Sequence, residues 1–300
     1  MSKRVYIQRY MLIIKKLQIS GHATSEEINH FLTEQSELND YDFTVSRRTL
    51  QRDLDEIRSI FDIDISFNFK TKTYELKEDE VHRSSNLRLV EALDIHYALN
   101  IAGKLSPYVF LENRQPQGTE HIHGLLHAIQ NRWLVKFTHQ PFWASESTKR
   151  LVAPYALKEF KNRWYVLASD SKDELIKTFG LDRLSDLEIT KKHFTYPKDF
   201  QVNEYFRYCF GIIAPNGKEP QEIILSFDPE QGKYIKSLKL HDRQQTLVDN
   251  DDEFRIRLKL CITHDFIMEL LSHGDTVKVI EPEELKVELR RIYTNALRQN

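Results

Sequence analysis

The sequence predicts an α+β protein of several domains: an N-terminal winged helix-turn-helix over residues 1–78, a helical connector over 79–131, a small strand-rich domain over 132–195 and a C-terminal α+β module over 196–300. Three patterns predict this order. Capped apolar repeats at helical spacing come first, strict alternation between turn residues follows, and strands that alternate with helices end the chain. With 300 residues, 40% of them hydrophobic, the chain is long and apolar enough for two or three domains.

Two short helices open the front domain. Apolar side chains recur at helical spacing between Ile7 and Leu17, which predicts one buried helix face. Thr24 and Glu27 then have the spacing of a capping box, in which each side chain accepts a hydrogen bond from the other residue's backbone N–H. A second helix is therefore expected to begin directly after Thr24.

A third helix and a hairpin complete the front domain. Ser46 is placed to cap a helix over 46–60, whose buried stripe runs from Leu50 to Phe61. Residues 63–69 alternate strictly between apolar and polar, and 74–76 can return as a second strand. Three helices followed by a hairpin predict a winged helix-turn-helix.

The rest of the chain changes from helices to strands and then to a mixture. Apolar repeats over 87–101 and 122–129 predict two connector helices. The next domain contains five short predicted strands separated by turn residues, which fit a small barrel or a sandwich. These strands cover 133–139, 148–153, 164–169, 176–181 and 186–190. Between 223 and 297 the pattern is strand and helix in alternation, which predicts a compact α+β module.

The amino end of the third helix carries the first functional signal. Cationic and amide side chains at such an end can contact base edges or phosphates in the major groove, and lysines at a wing tip can contact the adjacent backbone. The alternative is an ordinary solvated helix face. The candidate DNA-binding residues are Ser46, Arg47, Arg48, Thr49, Gln51, Arg52, Lys70 and Lys72.

Charge counts temper this prediction. Residues 1–78 contain 12 Lys and Arg against 13 Asp and Glu, a net charge of −1, although DNA-binding domains are usually basic. Within 46–56 the charges of the three arginines are offset by those of Asp53, Asp55 and Glu56, with the cations gathered at the amino end of the helix. A monomer is expected to bind weakly, which favours a dimer that reads two half-sites.

The strand-rich domain carries the second signal, since its cations are interleaved with aromatic residues. This combination suits phosphates and stacked bases. The alternative is that Trp164 and Tyr165 face opposite sides of one strand, with one in the core and the other covering a neighbour.

Three blocks in this domain closely resemble the WYL domain. They read Arg150-Leu-Val-Ala-Pro-Tyr-Ala-Leu-Lys158, Arg163-Trp-Tyr-Val-Leu167 and Lys177-Thr-Phe-Gly-Leu-Asp-Arg-Leu184. The resemblance covers roughly 133–190. The winged helix-turn-helix in front and the stretch 267–282 behind are similar to this family's usual companions, so that nearly the whole chain is covered.

The resemblance implies a bacterial transcription regulator. Its WYL domain would be an SH3-like β-barrel that senses a nucleotide or single-stranded nucleic acid, and its C-terminal module an extension domain. Carried over to this sequence, the implied ligand-binding residues are His139, Arg150, Tyr155, Lys158, Trp164, Tyr165, Lys177 and Arg183. His139 stands where many members have tyrosine, and Lys177 where many have arginine.

The faces of the last block stay open at this point. Strict alternation would place Phe179 and Leu181 on the same side as Lys177 and Arg183, unless Gly180 marks a bulge.

Several other classes of protein find no support in the sequence. The overall net charge is −2, and no apolar run approaches the length of a membrane span. Cys209 and Cys261 form no Cys-x-x-Cys pair, and His123 and His127 lack the further ligands of a recognisable metal site. Motifs for hydrolases and phosphate loops are also missing, so we expect a cytoplasmic protein that is no enzyme and needs neither metal nor cofactor.

The sequence therefore predicts a homodimeric regulator, with repression as the expected output, that binds an operator in double-stranded DNA and responds to an anionic effector. The rival prediction is a protein that binds RNA or single-stranded nucleic acid mainly through the strand-rich domain. A purely structural interaction protein would bind no nucleic acid at all.

Overall fold

The computed structural model describes residues 3–37, 41–77, 117–214 and 217–300, together with Ala92 and Ile95. The chain forms two units, Met1–Glu112 and Asn113–Asn300. The predicted connector helix over 87–101 lies outside the described residues, apart from Ala92 and Ile95, which are helical. No helix among the described residues is both long and apolar enough to cross a membrane.

The N-terminal unit contains the three predicted helices and the predicted hairpin. Its elements are α1 (Lys3–Ser20), β1 (His22–Ala23), α2 (Ser25–Glu37), α3 (Arg47–Phe61), β2 (Ile65–Asn68) and β3 (Thr73–Leu76). The strands form an antiparallel sheet in the order β1-β3-β2, and β1 is a short addition that the sequence did not predict. These local elements are confirmed, whereas their joint identity as a winged helix-turn-helix stays a prediction.

The helix starts are fixed by the residues that the sequence indicates. The Thr24 amide donates to Glu27 Oε2 at 2.7 Å, and the Glu27 amide donates to Thr24 Oγ1 at 3.2 Å, which confirms the capping box. Ser46 Oγ accepts from the Thr49 amide at the start of α3. The same helix ends at Asp62, which has a φ of 53° and donates its amide to the Arg58 carbonyl.

In the C-terminal unit, one helix and five antiparallel strands come first. They are α4 (Ile122–Asn131), β4 (Trp133–His139), β5 (Thr148–Phe160), β6 (Arg163–Asp170), β7 (Ile176–Gly180) and β8 (Leu184–His193). The five predicted strands are confirmed, and their order in the sheet is β7-β6-β5-β4-β8. No ladder joins β7 to β8 within the residues described, so closure into an SH3-like barrel is not confirmed.

One face of this sheet forms a core with α4. Leu125 and Ala128 of the helix are fully buried together with Val135, Val152 and Val166 of the strands. Because apolar side chains remove their surface from water only when they meet, the helix that the sequence assigned to the connector covers this face of the sheet.

The remainder is a mixed module. Its elements are α5 (Val202–Tyr205), β9 (Gln221–Phe227), α6 (Pro229–Ser237), β10 (Gln245–Asp249), β11 (Phe254–Leu260), α7 (His264–Ser272), β12 (Val277–Glu281) and α8 (Glu283–Gln299). The strands form a four-stranded sheet in the order β10-β11-β9-β12, and both α7 and α8 bury leucines against it. The three predicted strands and three predicted helices between 223 and 297 are confirmed, and β10 is an added strand that the sequence did not predict, so that β10 and β11 follow one another without a helix between them.

Candidate functional site

The amino end of α3 exposes four long polar side chains. Arg47, Arg48, Gln51 and Arg52 are all exposed, and none forms a hydrogen bond or an ion pair with another described residue. Their donors are therefore available to a ligand. The helix start also concentrates unpaired backbone N–H groups, which favours an anion.

Two other predicted residues shape this helix end. The Ser46 hydroxyl caps the helix, and it lies 3.0 Å from the Thr49 hydroxyl. Ser46 is exposed and Thr49 is half-buried. Both side chains hold the first turn in place, beside the four that project from it.

A buried ion pair anchors α3 to α1. Arg9 Nε lies 2.7 Å from Asp53 Oδ2 and Arg9 Nη2 lies 3.0 Å from Asp53 Oδ1, while only 1% and 0% of the two side chains is exposed. The charge count over 46–56 sets Asp53 against the arginines of α3, but this carboxylate points into the unit and is neutralised by Arg9 there. Asp55 and Glu56 are the exposed acids of α3 itself, and the pKa of the Glu26 carboxyl of α2, lowered mainly by a hydrogen bond from its own backbone amide, is lowered further by the nearby charge of Arg47.

The hairpin tip presents cations on a shaped turn. The Lys70 and Lys72 side chains are exposed, and neither ammonium group has a hydrogen-bond or salt-bridge partner in the described part of the chain. Asn68 Oδ1 accepts from the Lys70 amide at 3.0 Å, and Lys72 has a left-handed φ of 57°. Between them and β2 lies Phe69, whose side chain is 85% exposed.

In the C-terminal unit, two of the predicted ligand-binding cations share one buried carboxylate. Asp170 Oδ2 lies 2.8 Å from Arg150 Nη1 and 3.0 Å from Lys177 Nζ, and Asp170 is 1% exposed. Lys177 also pairs with Asp173. Burial alone would raise the pKa of Asp170, but hydrogen bonds from the Lys172 amide and Lys177, with the charges of Lys177 and Arg150, hold that pKa below its ordinary value. Arg150 and Lys177 are thus neutralised.

Arg183 belongs to a different cluster with an excess of positive charge. Asp182 faces Arg163 Nη1 at 2.7 Å and Arg183 Nε at 3.4 Å, so that two cations share one carboxylate. Arg183 Nε has no hydrogen-bond partner among the described residues. Its guanidinium lies 4.9 Å from the centre of the Phe142 ring, and that of Arg163 lies 6.0 Å from it.

Gly180 makes the close approach of Arg183 possible. A Cβ at this glycine would lie 2.3 Å from Arg183 Nη2 and 2.5 Å from Asp182 Oδ1. The β6–β7 register is regular up to Gly180, without a bulge, and the chain then enters a 3-10 turn over Leu181–Arg183. Arg183 therefore does not follow strand alternation, whereas Leu181 is buried in the same core as Phe179.

The remaining predicted residues are divided between the two faces of the sheet. Lys158 pairs with Tyr165 across β5 and β6, so both project to the face opposite Trp164, which packs against the α4 core. Lys158 Nζ lies 3.8 Å from the centre of the Phe206 ring, and burial lowers its pKa. Burial also raises the pKa of the Tyr165 phenol.

Tyr155 lies in an aromatic cluster. It occupies a bulge in β5, and its ring centre lies 5.0 to 5.8 Å from those of Phe194, Tyr196 and Phe200. This cluster buries the ring, and none of the predicted cations stacks on it among the described residues, so the structure does not bring Tyr155 together with Arg150 or Arg183.

His139 lies at the end of β4 near both cationic clusters. It is 8% exposed and its ring lies edge-on to Phe179 at 5.2 Å. Burial lowers its pKa, and the positive charges of Arg183 and Arg150 lower it further against the opposing charge of Asp182. The imidazole is therefore held neutral near pH 7 and can both donate and accept a hydrogen bond.

Three residues that shape this region were missed by the sequence interpretation: Asp170, Asp182 and Phe142. Asp170 directly follows the predicted strand 164–169, and an acid at a strand end opposite a predicted cation is a usable signal. Phe142 and Trp143 form an exposed aromatic pair, at 70% and 83%, in the β4–β5 loop. Within the residues that the structure covers, no group of three or more His, Cys, Asp or Glu side chains is placed to hold a metal ion.

Two domain families match the chain. The WYL domain matches residues 120–189, a range that includes α4, and the WCX domain matches residues 219–297. No curated protein matches this chain.

Similar solved structures include proteasome accessory factor B/C (PafBC) of Arthrobacter aurescens. It is 20% identical over 95% of this chain and 46% of its own, with a TM-score of 0.33, so this chain spans about half the length of the PafBC chain. A structure described as a CRISPR Cas-related protein is 12% identical over 98% of this chain and 85% of its own, with a TM-score of 0.41. Likenesses of this strength carry no conclusion about function.

Proposed function

Because the chain is a WYL-domain protein with a WCX domain behind, we propose that it is a sequence-specific DNA-binding transcription regulator rather than an enzyme. In this proposal residues 3–77 act as a winged helix-turn-helix, and the sheet over 133–193 acts as an SH3-like barrel that senses an effector. The protein works in the cytoplasm as a homodimer, and repression is the proposed output.

One observation carries the DNA-binding proposal: the cations at the start of α3 are exposed and unpaired, while the other charges that hold this helix are satisfied. Asp53 is neutralised by Arg9, and Arg58 at the far end pairs with Asp64. Arginine donors free at one helix end match guanine edges and phosphates in a major groove.

The dimer follows from the charge balance. With Asp53 buried, the surface at the start of α3 is more basic than the count over residues 1–78 indicates, yet that count remains −1. A single module would therefore contact few phosphates. Two modules on two half-sites double those contacts and make the affinity depend steeply on salt.

For the effector, the excess positive charge points to Arg163 and Arg183 as the anion-binding pair, since Arg150 and Lys177 are neutralised by Asp170 and Asp173. Phe142, over which Arg183 stacks, adds an aromatic surface. Cations beside an aromatic ring suit a nucleotide or a short single-stranded nucleic acid, the effector that we propose.

The DNA-binding proposal is tested on DNA from directly upstream of the gene. Arg47→Ala combined with Arg52→Ala should weaken specific binding by roughly a hundredfold, because each lost base contact costs about 1–3 kcal/mol. Footprinting of the wild type gives the half-site spacing in the same experiment. Unchanged specific binding by the double variant would show that α3 is not the recognition helix.

Arg58→Ala is the matched control for Arg52→Ala. It removes the same charge from the same helix, but Arg58 lies at the carboxyl end and is paired with Asp64. Specific binding should survive Arg58→Ala and fall with Arg52→Ala. Equal losses would mean that only the net charge matters.

A second candidate function is the binding of RNA or single-stranded nucleic acid as the main activity. It is favoured by Trp143, which is 83% exposed next to the Phe142–Arg183 contact and offers a stacking surface. Under this alternative, Trp143→Ala abolishes binding to single strands, and the α3 double variant leaves nucleic-acid binding intact.

A further inference from the structure

The hairpin of the N-terminal unit carries an exposed aromatic ring at its tip, directly after β2. Phe69 follows the last residue of β2 directly, and its side chain is 85% exposed. Single exposed apolar residues are common, so exposure by itself decides nothing. Phe69 differs from other exposed apolar residues because other aromatic rings support it and lysines follow it in the turn.

A chain of ring contacts connects Phe69 to the core. Phe69 meets Phe67 edge-on, with ring centres 5.1 Å apart and planes at 88°, and Phe67 lies 4.9 Å from Tyr74. Tyr74 is 6% exposed and belongs to the core of the unit. The exposed ring is thus supported from below by two other aromatic rings.

The turn beneath the ring is also held in one shape. Asn68 Oδ1 accepts from the Lys70 amide, the Thr71 and Thr73 hydroxyls lie 2.7 Å apart, and Lys72 adopts a left-handed φ. A ring that is already positioned loses little conformational freedom when it binds, which lowers the entropic cost of inserting it.

The charges at the tip select the partner. Lys70 and Lys72 follow Phe69 in the same turn, both are exposed, and neither side chain has an ion-pair partner among the described residues. The segment from Ser66 to Thr73 contains no acidic residue. An apolar ring next to two free cations is complementary to a surface whose edges are anionic and whose interior is apolar, as in a DNA minor groove between base pairs.

We propose that Phe69 is a wedge that enters a base-pair step through the minor groove while Lys70 and Lys72 hold the flanking phosphates. The hairpin thereby kinks the duplex whose major groove α3 contacts. This inference rests on the proposed DNA binding and adds to it a deformation of the DNA and a preference for steps that unstack easily, such as TA.

The test uses the full-length protein and a duplex of roughly 20 base pairs, two helical turns, selected by the wild type from a random pool. Dyes at the two ends report bending. The wild type should bend the duplex by about 20° or more, and Phe69→Ala should abolish the bend and weaken binding about tenfold or more. Phe69→Trp should keep both, and its added indole fluorescence should be quenched by the bound duplex.

Ile19→Ala is the matched control, since Ile19 is another large apolar side chain of the same unit that is 72% exposed. It should bind and bend DNA like the wild type. Thermal unfolding of Phe69→Ala should stay close to that of the wild type, because the ring that is removed is largely in water.

Three results would overturn the inference. If Phe69→Ala bends and binds DNA like the wild type, the wedge is wrong. If Arg47→Ala with Arg52→Ala loses binding in the same experiment, the proposed function still stands. A change in the oligomeric mass of Phe69→Ala would show that the ring contacts a second copy instead. If the wild type selects no duplex, the proposed function and the wedge are both wrong.

Discussion

At the start of α3, Arg47, Arg48 and Arg52 are exposed and unpaired among the residues described, whereas Arg150 and Lys177 in the C-terminal unit share the buried carboxylate of Asp170. Both groups have the residue types expected of a phosphate-binding surface. Only the first offers its charge freely, because the electrostatic field that a ligand meets depends on the carboxylates already bound to each cation.

The same contrast appears inside the C-terminal unit on a smaller scale. Arg163 and Arg183 share the single carboxylate of Asp182, which leaves a positive excess beside Phe142. A cation therefore has to be counted together with its acids. The following predictions alter one acid or one cation at a time.

The largest expected effect comes from the ion pair beneath α3. Asp53→Asn leaves the Arg9 guanidinium buried without a full counter-charge, which should cost about 3 kcal/mol of stability. Urea unfolding of the variant and the wild type measures the difference. Asp55→Asn, an exposed acid of the same helix, should change stability by less than about 0.5 kcal/mol.

A loss of similar size in both variants would mean that the Arg9–Asp53 pair does not anchor α3. In that case the neutralisation of Asp53 by Arg9 would not be the reason that the cations at the helix start are free.

The second prediction concerns a variant that removes the carboxylate by which the cations in the C-terminal unit are neutralised. Asp170→Asn should release Arg150 and leave Lys177 paired with Asp173 alone, and inorganic phosphate should then bind the C-terminal unit several-fold more tightly than in the wild type. Stability should fall by about 2 kcal/mol, less than for a fully buried pair because both cations are partly exposed. Calorimetry of phosphate binding and urea unfolding measure the two effects. Glu146→Gln, an exposed acid of the β4–β5 loop, is the control and should change neither.

The pH dependence of Asp170 has a definite sign. Its pKa is lower in the folded protein than in the unfolded chain, so its contribution is complete above the ordinary carboxyl pKa of about 4 and is lost as the pH falls through the folded value. Acid unfolding of Asp170→Asn should lack this component. Identical acid-unfolding curves for the wild type and for Asp170→Asn would contradict the pairing of Asp170 with its two cations.

The smallest effect separates the two cationic clusters through His139. Its pKa lies below the ordinary value, so its contribution to stability is present above about pH 6.5 and decreases as the pH falls toward the folded pKa. Arg183→Ala should raise the pKa of His139 more than Arg150→Ala does, because Asp170 compensates Arg150. An NMR titration of the His139 ring measures both shifts, and a larger response to Arg150→Ala would reverse the assignment of the excess charge.

Much of the local structure could be predicted because its causes are local. The capping box of Thr24 and Glu27, the Ser46 cap and the stripe from Leu50 to Phe61 each depend on residues within one or two helical turns. Strand alternation likewise predicts that Trp164 and Tyr165 face opposite sides of β6. Most elements and their order followed from such patterns, whereas the short strand β1 and the strand β10 did not.

Interaction partners that are distant in sequence could not be predicted from local patterns. Arg9 and Asp53 are 44 positions apart, and nothing near either residue indicates the other. The Gly180 approach of Arg183 depends on a 3-10 turn that ends strand alternation, so the face of Arg183 could not be derived from periodicity.

The sequence by itself determined the elements, the exposed cations of α3 and the three WYL blocks, since periodicity, capping and residue type act over a few positions. Only the tertiary structure decided which charges remain available. Packing places Asp53 beneath α3 and Asp170 between Arg150 and Lys177. Arg183, in contrast, has only a carboxylate that it shares with another cation. Coulomb interactions depend on separation in space and on burial, and neither quantity is written in the order of the residues.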